Sequence, residues 1–529
     1  MSIKQSFSLT LCKYSICLLL MFPTLHVFSE TLNQSDAKST LIINATVIDG
    51  NGGPSQTIDV RIKEQQIVAL GELTPAANDT VINASGLHLA PGFIDTHSHH
   101  DEELETKSDV LAAVSQGITT IVIGQDGDSH FPIKNFWAMR DSQPAAVNIA
   151  SYVGHNTLRT QVMGANANRQ ATEAEIRSME RLLQQELDAG ALGLSTGLEY
   201  DSGIFSTQDE VLQLAKVAAK NGARYISHIR SEAGTFEAAI EEIITIGKEA
   251  KLPVQISHIK LARRDLWGKA DELIARLDKA RAEGVDITAD IYPYTYWMST
   301  LQVLFPERDF DNIESAEYAL SELASPEGMI LSVYEPDPGL VGKSIAEIAI
   351  ARGQKPAVVY MALIAESIAY QELNKLSYEK VESVIGTSMV EQDIEKLMQW
   401  PHSNICSDGT PFGLHPRDFG SFTRVLGRYS RQNNVLSLEN AVHKMTGLSA
   451  QHVGIKNRGV IKLGAFADLV LFDANAVIDQ ATVKDASKVS LGIEKVWVNG
   501  QLVFNQQKAT GATPGENVMR LSGANSSSL

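Results

Sequence analysis

Between residues 90 and 454 short apolar runs alternate with segments of helical period. Ile118-Thr119-Thr120-Ile121-Val122-Ile123 is a strand, and Leu192-Gly193-Leu194-Ser195 is a short apolar run. Arg224-Tyr225-Ile226-Ser227, Val254-Gln255-Ile256-Ser257 and Ile287-Thr288-Ala289-Asp290-Ile291 follow as strands. Helices fall between them: Thr172 to Ala189, where Thr172 and Glu175 are spaced as a capping box, then Asp209 to Lys220 and Phe236 to Glu249. Repeated strand–helix units predict an α/β protein with a parallel sheet, closed as a TIM-like (β/α)8 barrel over residues 90–454.

The ends of the chain have a different texture. Residues 40–89 alternate apolar and polar positions in the runs 41–50, 57–62 and 66–70, with turn residues between them. Strand texture returns after residue 455, in 468–472, 493–500 and 502–504. The two ends (40–89 and 455–515) are read as one small β-sandwich beside the barrel. Residues 300–400 break the rhythm with helical pieces such as 344–351 and 390–398, and read as an inserted subdomain, a lid over the barrel mouth. Residues 30–39 and the tail 523–529 read as disordered.

Charge narrows the partners. The net charge of −18 makes the chain a poor ligand for phosphate backbones, so no nucleic acid is expected. Lys4 and Lys13 precede an apolar stretch, Ile16 to Phe22, and Val27 and Ser29 suit cleavage after Ser29. Residues 1–29 are read as a signal peptide, too short in its apolar part for stable membrane insertion, which predicts a secreted or periplasmic protein. Cleavage would remove two lysines, taking the charge to −20, and would remove Cys12 and Cys17. Cys406 would remain alone, and no intrachain disulfide could form.

The chemistry lies just beyond the strands. Pro91-Gly92-Phe93-Ile94-Asp95-Thr96-His97-Ser98-His99 ends in two histidines one residue apart, which point to the same side of a strand and can converge on a metal. Asp126, His228, His258 and Asp408 follow later strands. In a β/α barrel those strand ends share the face that carries the active site. His97, His99, Asp126, His228, His258 and Asp408 thus outline a two-metal site.

These segments resemble the amidohydrolase superfamily and, within it, the D-aminoacylases. The resemblance rests on Ala90 to His99, Gly154-His155-Asn156-Thr157-Leu158-Arg159, Gly190 to Leu198, Ile256-Ser257-His258-Ile259-Lys260 and Asp290-Ile291-Tyr292-Pro293-Tyr294. It continues through Ser407-Asp408-Gly409, His415-Pro416-Arg417 and Gly464 to Val470. It implies a zinc held by a bridging residue with His228 and His258, and a second, weaker position at His97 and His99. It implies Asp408 as the catalytic carboxylate, with Lys260 and Tyr292 on the substrate carboxylate. The family's bridging cysteine is replaced by Asp126, within Gly124-Gln125-Asp126-Gly127. A carboxylate is a harder ligand that can bridge through two oxygens, so the zinc preference can loosen toward Mn2+ or Co2+.

The expected reaction is metal-dependent hydrolysis of N-acyl-D-amino acids to a carboxylate and a free D-amino acid. Asp408 takes a proton from water and returns it to the leaving amine. His155 or Tyr292 assists the oxyanion, and Lys260 or Arg417 holds the substrate carboxylate. The alternatives are a D- or isoaspartyl dipeptidase, a cyclic-amide hydrolase, or a binding protein that lost turnover along with the cysteine at position 126.

Overall fold

The computed structural model describes residues 38–376 and 380–520. The signal-peptide segment and the tail 523–529 lie outside the described residues.

Strands from both ends of the chain share one nine-stranded sheet. Ser39–Val47 pairs antiparallel with Gln56–Lys63 and parallel with Asp79–Asn83 and His88–Pro91. Leu469–Phe472 lies antiparallel on the other edge of His88–Pro91, and Ile493–Val498 and Gln501–Asn505 extend the sheet from there. Ile42, Val60, Ile62, Leu89, Leu471 and Trp497 belong to a hydrophobic core separate from the main one. The first strand starts at Ser39, whose hydroxyl donates to Asp79 at 2.6 Å, so the expected disorder does not reach that residue. Asp79–Asn83 had no clear sequence signal because most of its positions face solvent and carry no apolar alternation.

The parallel strands fall into two sheets. Phe93–Asp95, Ile118–Ile123 and Asn148–Ser151 form the first. The second runs Val153–Gly154, Gly193–Gly197, Arg224–His228, Val254–Ile256, Ile287–Ile291 and Ser403–Ile405. All six side chains of Ile118–Ile123 are buried, as β-branched residues covered on both faces should be. Helices Glu173–Asp188, Gln208–Lys220 and Phe236–Ala250 connect successive strands, and the first is closed by the Thr172/Glu175 capping box. The architecture is therefore α/β.

Residues 296–387 form a three-stranded antiparallel sheet, Tyr296–Ser299, Glu382–Thr387 and Met329–Tyr334, with Glu382–Thr387 in the centre. The helix Pro356–Asn374 accompanies it and was not legible in the sequence. That helix is apolar nearly all round (Leu363 and Ile364 are buried, Val358 and Leu373 exposed), so no polar face marks its period.

Asp468 joins the nine-stranded sheet to the parallel strands. Its carboxylate accepts from Arg458, from Asn148 Nδ2 at 3.2 Å and from the Asn499 backbone N–H at 2.8 Å. Arg458 lies over the Phe466 ring at 3.8 Å. Arg458 Nη1 also donates to Asn499 Oδ1 at 2.8 Å, and such further hydrogen bonds are the condition under which a buried pair is tolerated in an interior.

Candidate metal centre

The ends of the parallel strands bring the expected donors together. His97, His99, Asp126 and Asp408 offer ligand atoms that all lie within 4.8 Å of one another, and Asp126, His228 and His258 form a second such group. Asp126 belongs to both, and its two oxygens divide the work. Oδ2 lies 3.2 Å from His97 Nε2 and 3.4 Å from His99 Nε2. Oδ1 lies 3.6 Å from His258 Nε2 and 3.9 Å from His228 Nδ1. Asp408 Oδ1 faces His97 and His99 at 3.6 and 3.5 Å, while its Oδ2 accepts from Arg417 Nη1 at 2.5 Å.

The backbone holds these side chains in uncommon positions. Asp126, His258 and Asp408 have φ of 54°, 35° and 51°, in the left-handed region that non-glycine residues avoid. Buried carboxylates fix two of these turns. Asp290 accepts the His258 backbone N–H at 2.6 Å, and Asp95 accepts both the backbone N–H and the hydroxyl of Ser407, at 2.8 and 2.5 Å. The Asp408 N–H then bonds to the His97 carbonyl at 2.9 Å, which sets the last of these strand ends against the first.

Two groups that the sequence reading did not single out complete the arrangement. Glu199 Oε2 accepts from His228 Nε2 at 3.0 Å, and Glu232 Oε1 lies 3.0 Å from His258 Nδ1. His228 Nδ1 and His258 Nε2 face each other across 3.0 Å, close enough to share one proton or to hold one cation in its place. Asp126 Oδ1 is buried without a hydrogen-bond partner and points into the same space. Burial alone would raise the Asp126 and Asp408 carboxyls, yet the charges around them, His97 beside Asp126 and Arg417 beside Asp408, hold both well below the ordinary carboxylate range. Burial likewise works against a charged His258, but Glu232 and Asp126 prevail and push it up to about 10. The cluster thus draws positive charge onto its imidazoles, and a divalent cation would supply that charge while the rings served as neutral ligands. The donor set is fit to bind metal.

Glu199 was findable by the rule that found the histidines, since it lies two residues past the strand Gly193–Gly197. Glu232 lies four residues past the strand Arg224–His228, where sequence alone gives it no distinction from other surface glutamates. A carboxylate on the far ring nitrogen orients a ligand histidine and raises its basicity. Glu199→Gln is expected to weaken metal binding by about 10- to 100-fold with the fold intact, as read by competition with a chromogenic chelator. Unchanged affinity would remove Glu199 from this role.

The expected substrate contacts separate into two groups. Lys260, Tyr292 and Arg417 line the cleft beside the metal cluster. Lys260 Nζ donates to Glu232 at 2.5 Å and lies 2.7 Å from His258 Nδ1. The Tyr292 hydroxyl and Arg417 Nε are buried and have no partner. His155 corrects the expectation. It is fully buried, its Nε2 meets Glu210 at 2.8 Å, and it is not among the residues that line the cleft. Glu210 also accepts from Arg159, so His155 belongs to a structural charge cluster under the helix Gln208–Lys220. Cys406 is buried, one residue past the strand Ser403–Ile405.

Residues 80–504 match the amidohydrolase family model. The chain belongs to the amidohydrolase family. It is 37% identical to an N-acyl-D-glutamate deacylase of Alcaligenes xylosoxydans xylosoxydans, over 87% of this chain and 92% of that one. It is 33% identical to a D-aminoacylase of the same organism, over 92% and 99%. A crystal structure of the N-acyl-D-glutamate deacylase of Bordetella bronchiseptica superimposes with a TM-score of 0.80 at 33% identity, covering 91% of this chain and 99% of that one. That protein was crystallised with zinc and a phosphonate that mimics the tetrahedral intermediate of its reaction.

Proposed function

We propose that this amidohydrolase cleaves the amide bond of N-acyl-D-amino acids, releasing a carboxylate and a free D-amino acid. The observation that carries the reading is the Asp126–His228–His258 donor set beside two cations and an unpartnered tyrosine hydroxyl. Asp126, His228 and His258 would hold one cation, and His97, His99 and Asp408 would hold a second, with Asp126 shared through its two oxygens. A divalent cation in such a site acts as a Lewis acid and brings the pKa of water down to near 7.

The chain's own residues do the rest. Asp408 accepts the proton of the attacking water and passes it to the departing amine nitrogen. Lys260, Tyr292 and Arg417 bind the substrate carboxylate, with Arg417 Nε and the Tyr292 hydroxyl free to donate. Arg417 also holds Asp408 through Nη1, so one guanidinium fixes both the substrate and the base, as its forked donors allow.

The scaffold reading follows the same logic. The two parallel sheets read as one eight-stranded β/α barrel over 90–454. Only Tyr152 separates Asn148–Ser151 from Val153–Gly154, and a parallel bridge between Ser98 and Gly409 links the outermost strands. The nine-stranded sheet with its separate core reads as the sandwich built by 40–89 and 455–515, and 300–400 as the inserted subdomain. Lys4, Lys13 and the apolar run 16–22 support export with cleavage near Ser29.

Zinc-loaded protein lacking residues 1–29 is expected to hydrolyse N-acetyl-D-amino acids, to spare their L enantiomers, and to lose activity on chelation. Activity confined to hydantoins or to dipeptides would overturn the proposal.

A further inference from the structure

An N-acyl-D-amino acid carries one carboxylate, and an acidic side chain adds a second. A carboxylate taken out of water without a cation or several donors is costly. Among the described residues lining the cleft, Lys260 and Arg417 are the only lysine and arginine, His228 and His258 being committed to the metal cluster, and both stand close to Tyr292, at 5.6 and 5.2 Å from its ring centre. Each already answers a carboxylate of the protein, Glu232 and Asp408 respectively. With the Tyr292 hydroxyl and Arg417 Nε they make a corner for a single substrate carboxylate.

The rest of the lining offers no further lysine or arginine for a second, only the hydroxyls of Tyr200, Ser299 and Ser388, the last of which already accepts from Trp297. Trp297, Met298, Val303, Leu304 and Leu323 supply an apolar wall, and Glu199 and Glu232 add negative charge. The Trp297 ring is fixed in that wall. Its Nε1 donates to Ser388 Oγ at 2.6 Å, and it packs so closely on Gly386 that a Cβ there would lie 2.3 Å from the ring. Arg308 follows the wall in sequence but is tied to Asp201 at 3.0 Å and to the carbonyls of Glu199 and Phe305, and it does not line the cleft.

We infer that this chain selects N-acyl-D-amino acids with uncharged, apolar side chains and rejects those with acidic ones. The inference rests on the deacylase reading above, and it parts company with the glutamate named for the 37%-identical relative.

The test is kcat/KM of the zinc-loaded enzyme on N-acetyl-D-leucine, -D-methionine and -D-phenylalanine against N-acetyl-D-glutamate and -D-aspartate. The apolar substrates are expected to lead by about 100-fold or more. An acidic substrate within about tenfold of the best apolar one would overturn the inference. Leu304→Lys and Val303→Lys, each first shown to keep a native melting transition, should narrow the gap by about tenfold by accepting the second carboxylate. An unchanged gap in both would overturn the assignment of this wall to the side chain. Metal-loaded protein that hydrolyses no N-acyl-D-amino acid at all would instead overturn the deacylase reading, which a preference for acidic substrates would leave standing.

Discussion

Asp408→Asn is expected to fold, to retain bound metal, and to lose roughly 10²- to 10⁴-fold in kcat. The substitution keeps the shape of the side chain and one carbonyl oxygen for the space between His97 and His99. It removes the negative charge that Arg417 grips and the lone pair that takes the proton from water. KM should change far less than kcat, because Lys260, Tyr292 and the free Nε of Arg417 still meet the substrate carboxylate. The measurements are steady-state kinetics on N-acetyl-D-leucine and metal content by mass spectrometry. Near-native turnover would refute the role assigned to Asp408. Loss of the metal together with the rate would make it chiefly a ligand.

The second large effect is expected at Asp126. Asp126→Ala should weaken metal binding by more than about 100-fold, since changes to groups that merely support a ligand already cost 10- to 100-fold. Both donor groups converge on this one carboxylate, so both positions should empty together. Asp126→Cys should instead keep the metal and shift selectivity toward zinc over manganese, because a thiolate is a softer ligand. Equilibrium dialysis against mixed metals reads both variants. Unchanged selectivity in Asp126→Cys, or full metal occupancy in Asp126→Ala, would show that Asp126 is not a ligand.

Much of the site was legible because strand ends are. His97, His99, Asp126, His228, His258 and Asp408 each follow an apolar run, and a parallel sheet collects such positions on one face. The division of Asp126 between two histidine pairs could not be read, since it depends on the rotation of one side chain. His155 was misjudged for a related reason. Its segment resembles the family's, but the sequence does not reveal that Glu210, fifty-five residues away, claims the imidazole from beneath. Glu232 stayed hidden because an acidic residue in a polar segment looks alike whether it faces solvent or a histidine. In the fold, the strands with strong alternation or unbroken β-branched runs were found almost to the residue. The exposed strand Asp79–Asn83 and the uniformly apolar helix Pro356–Asn374 were not, because neither carries the periodic contrast on which such a reading depends.

The sheet shared by the two ends of the chain has a consequence for biosynthesis. A ribosome delivers His88–Pro91 early and its neighbour Leu469–Phe472 only after every parallel strand has emerged. Until then one border of the early strand stays bare, and the Asp468 junction with Asn148 has no acceptor. A nascent polypeptide stalled or truncated ahead of residue 468 would keep that open border, the kind that recruits other chains into aggregates. The last layer of this enzyme is sealed only once Leu469–Phe472 has left the ribosome.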